Sequence, residues 1–258
     1  MIQSVERAAV ILKELGSDSG RLGVTELSDR LGLAKATIYG LLRALEAHQL
    51  VEQDPETGKY RLGPALLQLG NAFLDNNELR ARSLLWAENL ATRAQEAVLV
   101  GVLYGQNVLV VHHVFRPDNS VQLLEVGAAI PWHACALGKA IVAFLDEGAQ
   151  SEAFAGDRVR LTGKTLVDAK PLKAELDRVR RDALAIEDQE TIVGDAGIAA
   201  PVFDNRGLVM GAIGVTGPVE RLLPTKGSPQ AAQLVREAAR ALSRELGAGR
   251  LAGTRSGA

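Results

Sequence analysis

The chain has 258 residues, 29 Lys and Arg against 31 Asp and Glu for a net charge of −2, and a single cysteine. That length accommodates two domains, a small one and one of roughly 170 residues. The lone cysteine excludes an intramolecular disulfide, and with no apolar leader and no apolar run long enough to cross a bilayer the expectation is a cytoplasmic protein without a membrane partner.

Residues 4–15 read as a first helix, with Ser4 as N-cap and Val5, Ala8, Ala9, Leu12 and Leu15 at helical spacing. Thr25 is expected to cap a short second helix whose apolar positions are Leu27 and Leu31. Gly32 then stands where a turn between crossed helices needs positive φ. A third helix begins near Ala34 and buries Ile38, Leu41, Leu42 and Leu45. Residues 50–53 and 59–62 read as two short strands joined by Asp54-Pro55-Glu56-Thr57-Gly58, a run of turn formers.

A helix-turn-helix at about 24–43 followed by a wing at 50–62 is built to place one helix in the major groove of DNA. The buried stripe leaves Lys35, Ala36, Thr37, Tyr39 and Arg43 off the core. Small residues let the helix approach base edges, the cations neutralise phosphates, and the hydroxyls bond phosphate or base. Lys59 and Arg61 are expected on one face of the wing, and Thr25 completes the candidate DNA-binding set. Residues 1–63 carry 8 Lys and Arg against 9 Asp and Glu. Affinity must therefore come from a few placed cations and from two copies acting together, since non-specific binding is mostly phosphate neutralisation.

Residues 65–74 read as a linker helix within a 64–77 connection, and a longer helix is expected over 78–97, with Leu79, Leu84, Leu85, Leu90 and Ala94 among its apolar positions. Strands at 98–104 and 108–114 flank Gly105-Gln106-Asn107 as a hairpin, and 121–126 is a further candidate strand. Helices follow at 137–145 and 172–181, the latter with its charge run 177–182 on a solvated face. Strands at 183–188, 198–203 and 208–215 precede a closing helix at 229–246, and 247–258 is expected to be a disordered tail. A meander with helices on its faces gives an α+β domain over 78–246.

The strings SVERAAVILKEL, VTELSDRLGLAKATIYGLL and DPETGKYRLGPALLQLG resemble the N-terminal domain of IclR-type bacterial transcriptional regulators. WHACALGKAIVAFL, GDAGIAAPVFDNRG and GAIGVTGPVERL, in that order, resemble the family's GAF-like effector-binding domain. Two departures in the reader are Gly40, where the family often has Arg, and Gln49, where it often has Gly. The resemblance implies a winged helix-turn-helix joined by a helical linker to a sensor. It also implies dimers or tetramers, operator DNA and a small-molecule effector as partners, and no enzymatic activity or cofactor. It places the effector against His133, Cys135, Ala136 and Leu137, against Glu187, Glu190 and Gly197, and against Gly214 and Thr216. Gly197 and Gly214 replace residues that are often Cys and Ser, which implies a roomier cavity. LGNAFLDNNELRARSLLWAENLA and VLVVHHVFRPDNSVQLLEVG are similar to the glycerol-operon regulators of actinomycetes within the family, which implies glycerol or glycerol 3-phosphate as effector and repression of a catabolic operon. The alternative is an activator answering to another small organic acid or an aromatic metabolite.

His133 and Cys135, two apart on an extended segment, would point the same way, as a base and nucleophile would. Packing or pocket lining is the reading preferred. His112 and His113 fall on opposite faces of a strand, and four scattered histidines with one cysteine offer no metal site. Gly211, Gly214 and Gly217 lie along a strand and read as points of close approach rather than a phosphate loop.

Overall fold

The computed structural model describes residues 2–17, 20–118, 120, 122–123, 125–223 and 229–248. Contacts divide the chain into two compact units, Met1–Asn76 and Asn77–Ala258.

In the first unit, helices α1 (Gln3–Leu15), α2 (Val24–Leu31) and α3 (Lys35–Ala47) precede strands β1 (Val51–Gln53) and β2 (Tyr60–Leu62) and helix α4 (Ala65–Asp75). Ile11, Leu15, Leu27, Ile38, Leu42 and Leu45 form its core with Leu22, Val51 and Tyr60. Two caps differ from expectation. Ile2 rather than Ser4 precedes α1, with no side-chain cap. Gly23 rather than Thr25 precedes α2, because Glu26 reaches back to accept the Gly23 N–H at 2.6 Å. That bond satisfies one orphan donor and leaves Thr25 inside the helix. Gly32 has φ 64°, the left-handed conformation the turn requires. Gln49 also sits at φ 57° before the wing. The wing pairs Val51 with Leu62 and Gln53 with Tyr60. Leu22 exchanges backbone bonds with Tyr60 at 3.0 and 2.8 Å, adding a third segment that the sequence did not announce.

The second unit holds α5 (Glu78–Ala94), β3 (Ala97–Tyr104), β4 (Asn107–Val114), β5 (Ala129–Pro131), α6 (Ala136–Val142), α7 (Glu147–Ala155), α8 (Ala169–Asp182), β6 (Ala185–Asp188), β7 (Asp195–Phe203), β8 (Val209–Pro218), α9 (Val219–Leu222) and α10 (Pro229–Glu245). The strands form one antiparallel sheet in the order β5-β4-β3-β8-β7-β6. It is two three-stranded meanders joined where β3 pairs with β8, rather than a single meander. Helices α5 and α10 pack on one face, and α6, backed by α8, packs on the other.

Helix α5 ends three residues earlier than expected, with Gln95 at φ 56° closing it so that β3 can begin at Ala97. Its buried face is Leu79, Ser83, Ala87, Leu90 and Ala91. Leu84 and Leu85 are 40% and 74% exposed, so the apolar stripe is offset from the expected one and admits small residues against the sheet. The candidate strand at 121–126 does not form at 122–123 or 125–126, and 121 and 124 lie outside the described residues. Helix α7 was not anticipated; it buries Ala153 and packs the half-buried Phe154 against the core. The charge run on α8 is not merely solvated, since Arg180 donates to the carbonyls of Ala143 and Leu145 at 2.6 and 3.2 Å and ties α8 to the end of α6. The expected tail lies outside the described residues from 249 onward.

Candidate functional site

In the reader unit, α3 presents Lys35, Ala36, Tyr39 and Arg43 to solvent, with Tyr39 53% exposed, while Thr37 is half-buried. Thr25 is exposed on the first turn of α2. The two wing cations take different partners. The strand begins only at Tyr60, so Lys59 reaches Glu26 of α2 at 3.1 Å, whereas Arg61 pairs across the wing with Glu52 at 2.5 Å. Arg43 pairs with Glu46 at 3.2 Å. Exposed pairs of this kind are worth about 0–1 kcal/mol, so they are readily exchanged for other partners.

In the second unit the sensor cavity opens between the start of α6, strands β7 and β8, and the turn leading out of β6, with a volume of about 90 Å³. Cys135, Ala136, Leu137, Glu187, Gly197, Gly214 and Thr216 all line it. Thr191, Ile192 and Asp195, within the 187–197 segment that the resemblance places at the cavity, also line it, and the sequence missed Leu99, Glu125 and Ile130.

The motif around Trp132 explains how α6 is aimed. Trp132–Ala134 forms a single 3-10 turn, and the buried Trp132 indole donates to the Ala153 carbonyl at 3.2 Å. A Cβ on Gly138 would lie 2.2 Å from the Trp132 carbonyl oxygen, so only glycine lets the helix fold back against that turn. The turn also separates His133 from Cys135. The His133 ring Nε2 bonds the Val159 carbonyl at 3.0 Å, away from the cavity, so the expected side-by-side arrangement does not form. Burial pushes the Cys135 thiol up to about 12, which leaves no thiolate nucleophile at neutral pH. Its sulfur instead accepts the Gly138 N–H.

Glu187 and Glu190, expected together in the cavity, take different roles. Glu187 lines it, and its Oε1 accepts the N–H groups of Glu190 and Thr191 at 2.5 and 3.1 Å. Burial nevertheless pushes this carboxyl up to about 7. Glu190 turns inward to Lys139, at 2.6 Å. Lys139, absent from the sequence-based candidates, is wholly buried on α6 and also donates to the Ile186 carbonyl at 2.7 Å. Burial raises the Glu190 carboxyl, and the neighbouring Lys139 charge works against that shift. The ion pair therefore clamps the α6 wall of the cavity to the β6–β7 wall. Thr191 adds a bond from its hydroxyl to the Ala134 carbonyl at 2.8 Å.

Gly197 and Gly214 do not act alike. A Cβ on Gly197 would be 3.4 Å from Ala136 Cβ and 3.5 Å from Glu187 Oε2, so its absence enlarges the cavity. A Cβ on Gly214 would lie 2.5 Å from the Ile198 carbonyl oxygen, so this glycine serves close strand approach and adds no room. Gly211 approaches the Gly101 carbonyl oxygen in the same sense, whereas Gly217 makes room for the Glu96 side chain. His113, on β4, accepts the Glu125 N–H at 3.1 Å and holds that segment at the cavity edge. Among the described residues no cluster has the composition of a metal site, and no helix is long and apolar enough to cross a membrane.

Residues 4–55 match the IclR helix-turn-helix domain, and residues 71–244 match the bacterial transcriptional regulator IclR C-terminal domain. The chain is 51% identical over 251 residues to the glycerol operon regulatory protein of Streptomyces griseus, covering 96% of this chain and 98% of that protein. It is 48% identical over 251 residues to the protein of the same name from Streptomyces coelicolor, with the same coverage. An IclR transcriptional regulator from Alicyclobacillus acidocaldarius superposes with a TM-score of 0.81 at 25% identity, covering 96% of this chain and all of that one.

Proposed function

The chain belongs to the IclR family of bacterial transcriptional regulators, and we propose that it represses a glycerol-utilisation operon and is released from DNA by glycerol or glycerol 3-phosphate. The observation that carries this reading is full-length similarity to two proteins named as glycerol operon regulators. The cavity volume of about 90 Å³ supports a very small ligand. It is below the roughly 150 Å³ that accommodates benzene, which argues against an aromatic effector and, for glycerol 3-phosphate, against enclosing more than its glycerol end.

The reader is residues 1–63, the connection 64–77, and the sensor 78–246. Thr25, Lys35, Ala36, Thr37, Tyr39, Arg43, Lys59 and Arg61 contact the operator, and the cavity lining receives the effector. One reader covers too little DNA for tight specific binding, so two copies bind half-sites about 34 Å apart or a multiple of it. Helix α4 supplies a basis for pairing. It buries no residue, and Leu67, Leu69 and Phe73 are 70%, 60% and 48% exposed. An apolar helix without a core partner calls for a second copy. Occupying the cavity then needs to supply only about 1–3 kcal/mol of coupling, carried through the 65–97 connection, to change operator occupancy many-fold. The place of action is the bacterial cytoplasm.

A DNase footprint upstream of its own gene and of neighbouring glycerol genes tests this, run with and without glycerol and glycerol 3-phosphate. Protection that is lost with either compound is expected. Absence of protection at modest ionic strength sinks the reader assignment, and protection indifferent to both compounds sinks the effector.

A further inference from the structure

The charge of the cavity is one-sided. Glu125, Glu187 and Asp195 line it, with Thr191 and Thr216 as neutral polar groups, and no Lys, Arg or His is among its described lining residues. The nearest buried cation, Lys139, is committed to Glu190 and the Ile186 carbonyl. Glu187 is only 5% exposed, and its Oε1 is engaged by backbone N–H groups. Its Oε2 accepts no hydrogen bond among the described residues and lies 3.5 Å from the point where a Gly197 Cβ would stand, on the cavity side. Here an acceptor, deep in the wall, is left free for a ligand. The Glu125 carboxyl is raised by burial and further by the Asp195 charge, as expected for two carboxyls that share one volume.

We infer that this cavity recognises the uncharged, hydroxyl-bearing end of a small ligand and rejects a carboxylate in the same place, with Glu125, Glu187 and Asp195 as the specificity-determining residues. The inference rests on the reading that this cavity holds the regulatory ligand. Hydroxyl groups donate to carboxylate oxygens in charge-assisted hydrogen bonds. A ligand carboxylate brings a like charge and no donor, so once Glu187, raised to about 7, is ionised the same wall repels it. A free polyol and its phosphate ester both present such an end. The phosphate of the ester finds no cation in the lining and stays outside it.

The test is isothermal titration of the full-length protein at about pH 8, above the raised value of Glu187, with glycerol, glycerol 3-phosphate and glycerate, which is glycerol with one terminal CH2OH replaced by carboxylate. Glycerol or its phosphate is expected to bind at least about tenfold more tightly than glycerate, and the stronger of the first two identifies the source of the hydroxyl end. In Glu187→Gln and, separately, Asp195→Asn, the gap to glycerate is expected to narrow by about tenfold through a gain for glycerate. A folding defect would instead weaken all three compounds together, and the two variants rarely share one. Glycerate binding to the unmodified protein as tightly as the polyols overturns the inference while leaving ligand control intact. A gap unchanged in both variants overturns it as well. No heat from any of the three overturns both this inference and the glycerol reading, whereas the operator footprint is independent of either.

Discussion

Replacing Lys139 with Met removes a buried cation while keeping an apolar stem of similar length. The variant loses the 2.7 Å bond to the Ile186 carbonyl and the 2.6 Å bond to Glu190 Oε1. It also loses the Glu175 carboxylate contact at 3.7 Å. Glu190 is then left buried with neither oxygen satisfied, because its Oε2 already has no partner. Stranding a buried charge in this way costs about 3–5 kcal/mol. Glu190→Gln alone removes the charge but keeps an acceptor for Lys139, and the cost is expected to be smaller. The double variant strands no charge at position 190, so its loss is expected to fall short of the sum of the singles by about 1–3 kcal/mol. Both tryptophans, Trp86 and Trp132, lie in the second unit, so urea unfolding followed by tryptophan fluorescence reads that unit alone. With a slope of about 2 kcal/mol per molar urea, Lys139→Met is expected to lower the midpoint by roughly 2 M with the slope unchanged. A midpoint within a few tenths molar of the parent, or strict additivity in the double variant, would refute the clamp.

Gln49 sits at φ 57°, which costs a non-glycine residue about 1 kcal/mol. Gln49→Gly is accordingly expected to raise the melting transition of the first unit by roughly 4–8 °C in calorimetry; no rise would mean the conformation is unstrained. Glu187 is raised from the usual 4.5 to about 7, so the folded chain keeps a proton there that the unfolded chain has released. Stability from this group is therefore present below pH 4.5 and is lost as pH climbs toward 7, up to about 3 kcal/mol. The fall in urea midpoint between pH 5 and pH 8 should be shallower in Glu187→Gln, and an identical fall would count against the shift. Leu69→Glu, on the exposed face of α4, is expected to convert a dimer to a monomer in sedimentation velocity, since the side chain is 60% exposed in the single chain. A variant that stays dimeric would move the pairing surface elsewhere.

The sequence by itself determined the helices and wing of the reader and most of the strands, but not β5, and its strand at 121–126 does not form at the described positions. Helical spacing is a local property, so Ile38, Leu42 and Leu45 announced the buried side of α3 and left Lys35, Tyr39 and Arg43 outside. The alternation around Gly105 likewise announced the β3–β4 hairpin. The run Cys135–Leu137 was legible as cavity lining through family resemblance and not through any periodicity. Tertiary structure alone decided which groups meet. The offset of the α5 stripe, the three-segment wing made with Leu22, and the separation of His133 from Cys135 depend on contacts between distant segments. Lys139 reads in sequence as an ordinary surface cation on a short helix. It became the buried clamp only because β6, α8 and the Glu190 turn close over it. Desolvation and pairing act through space, and neither is written in the order of residues along the chain.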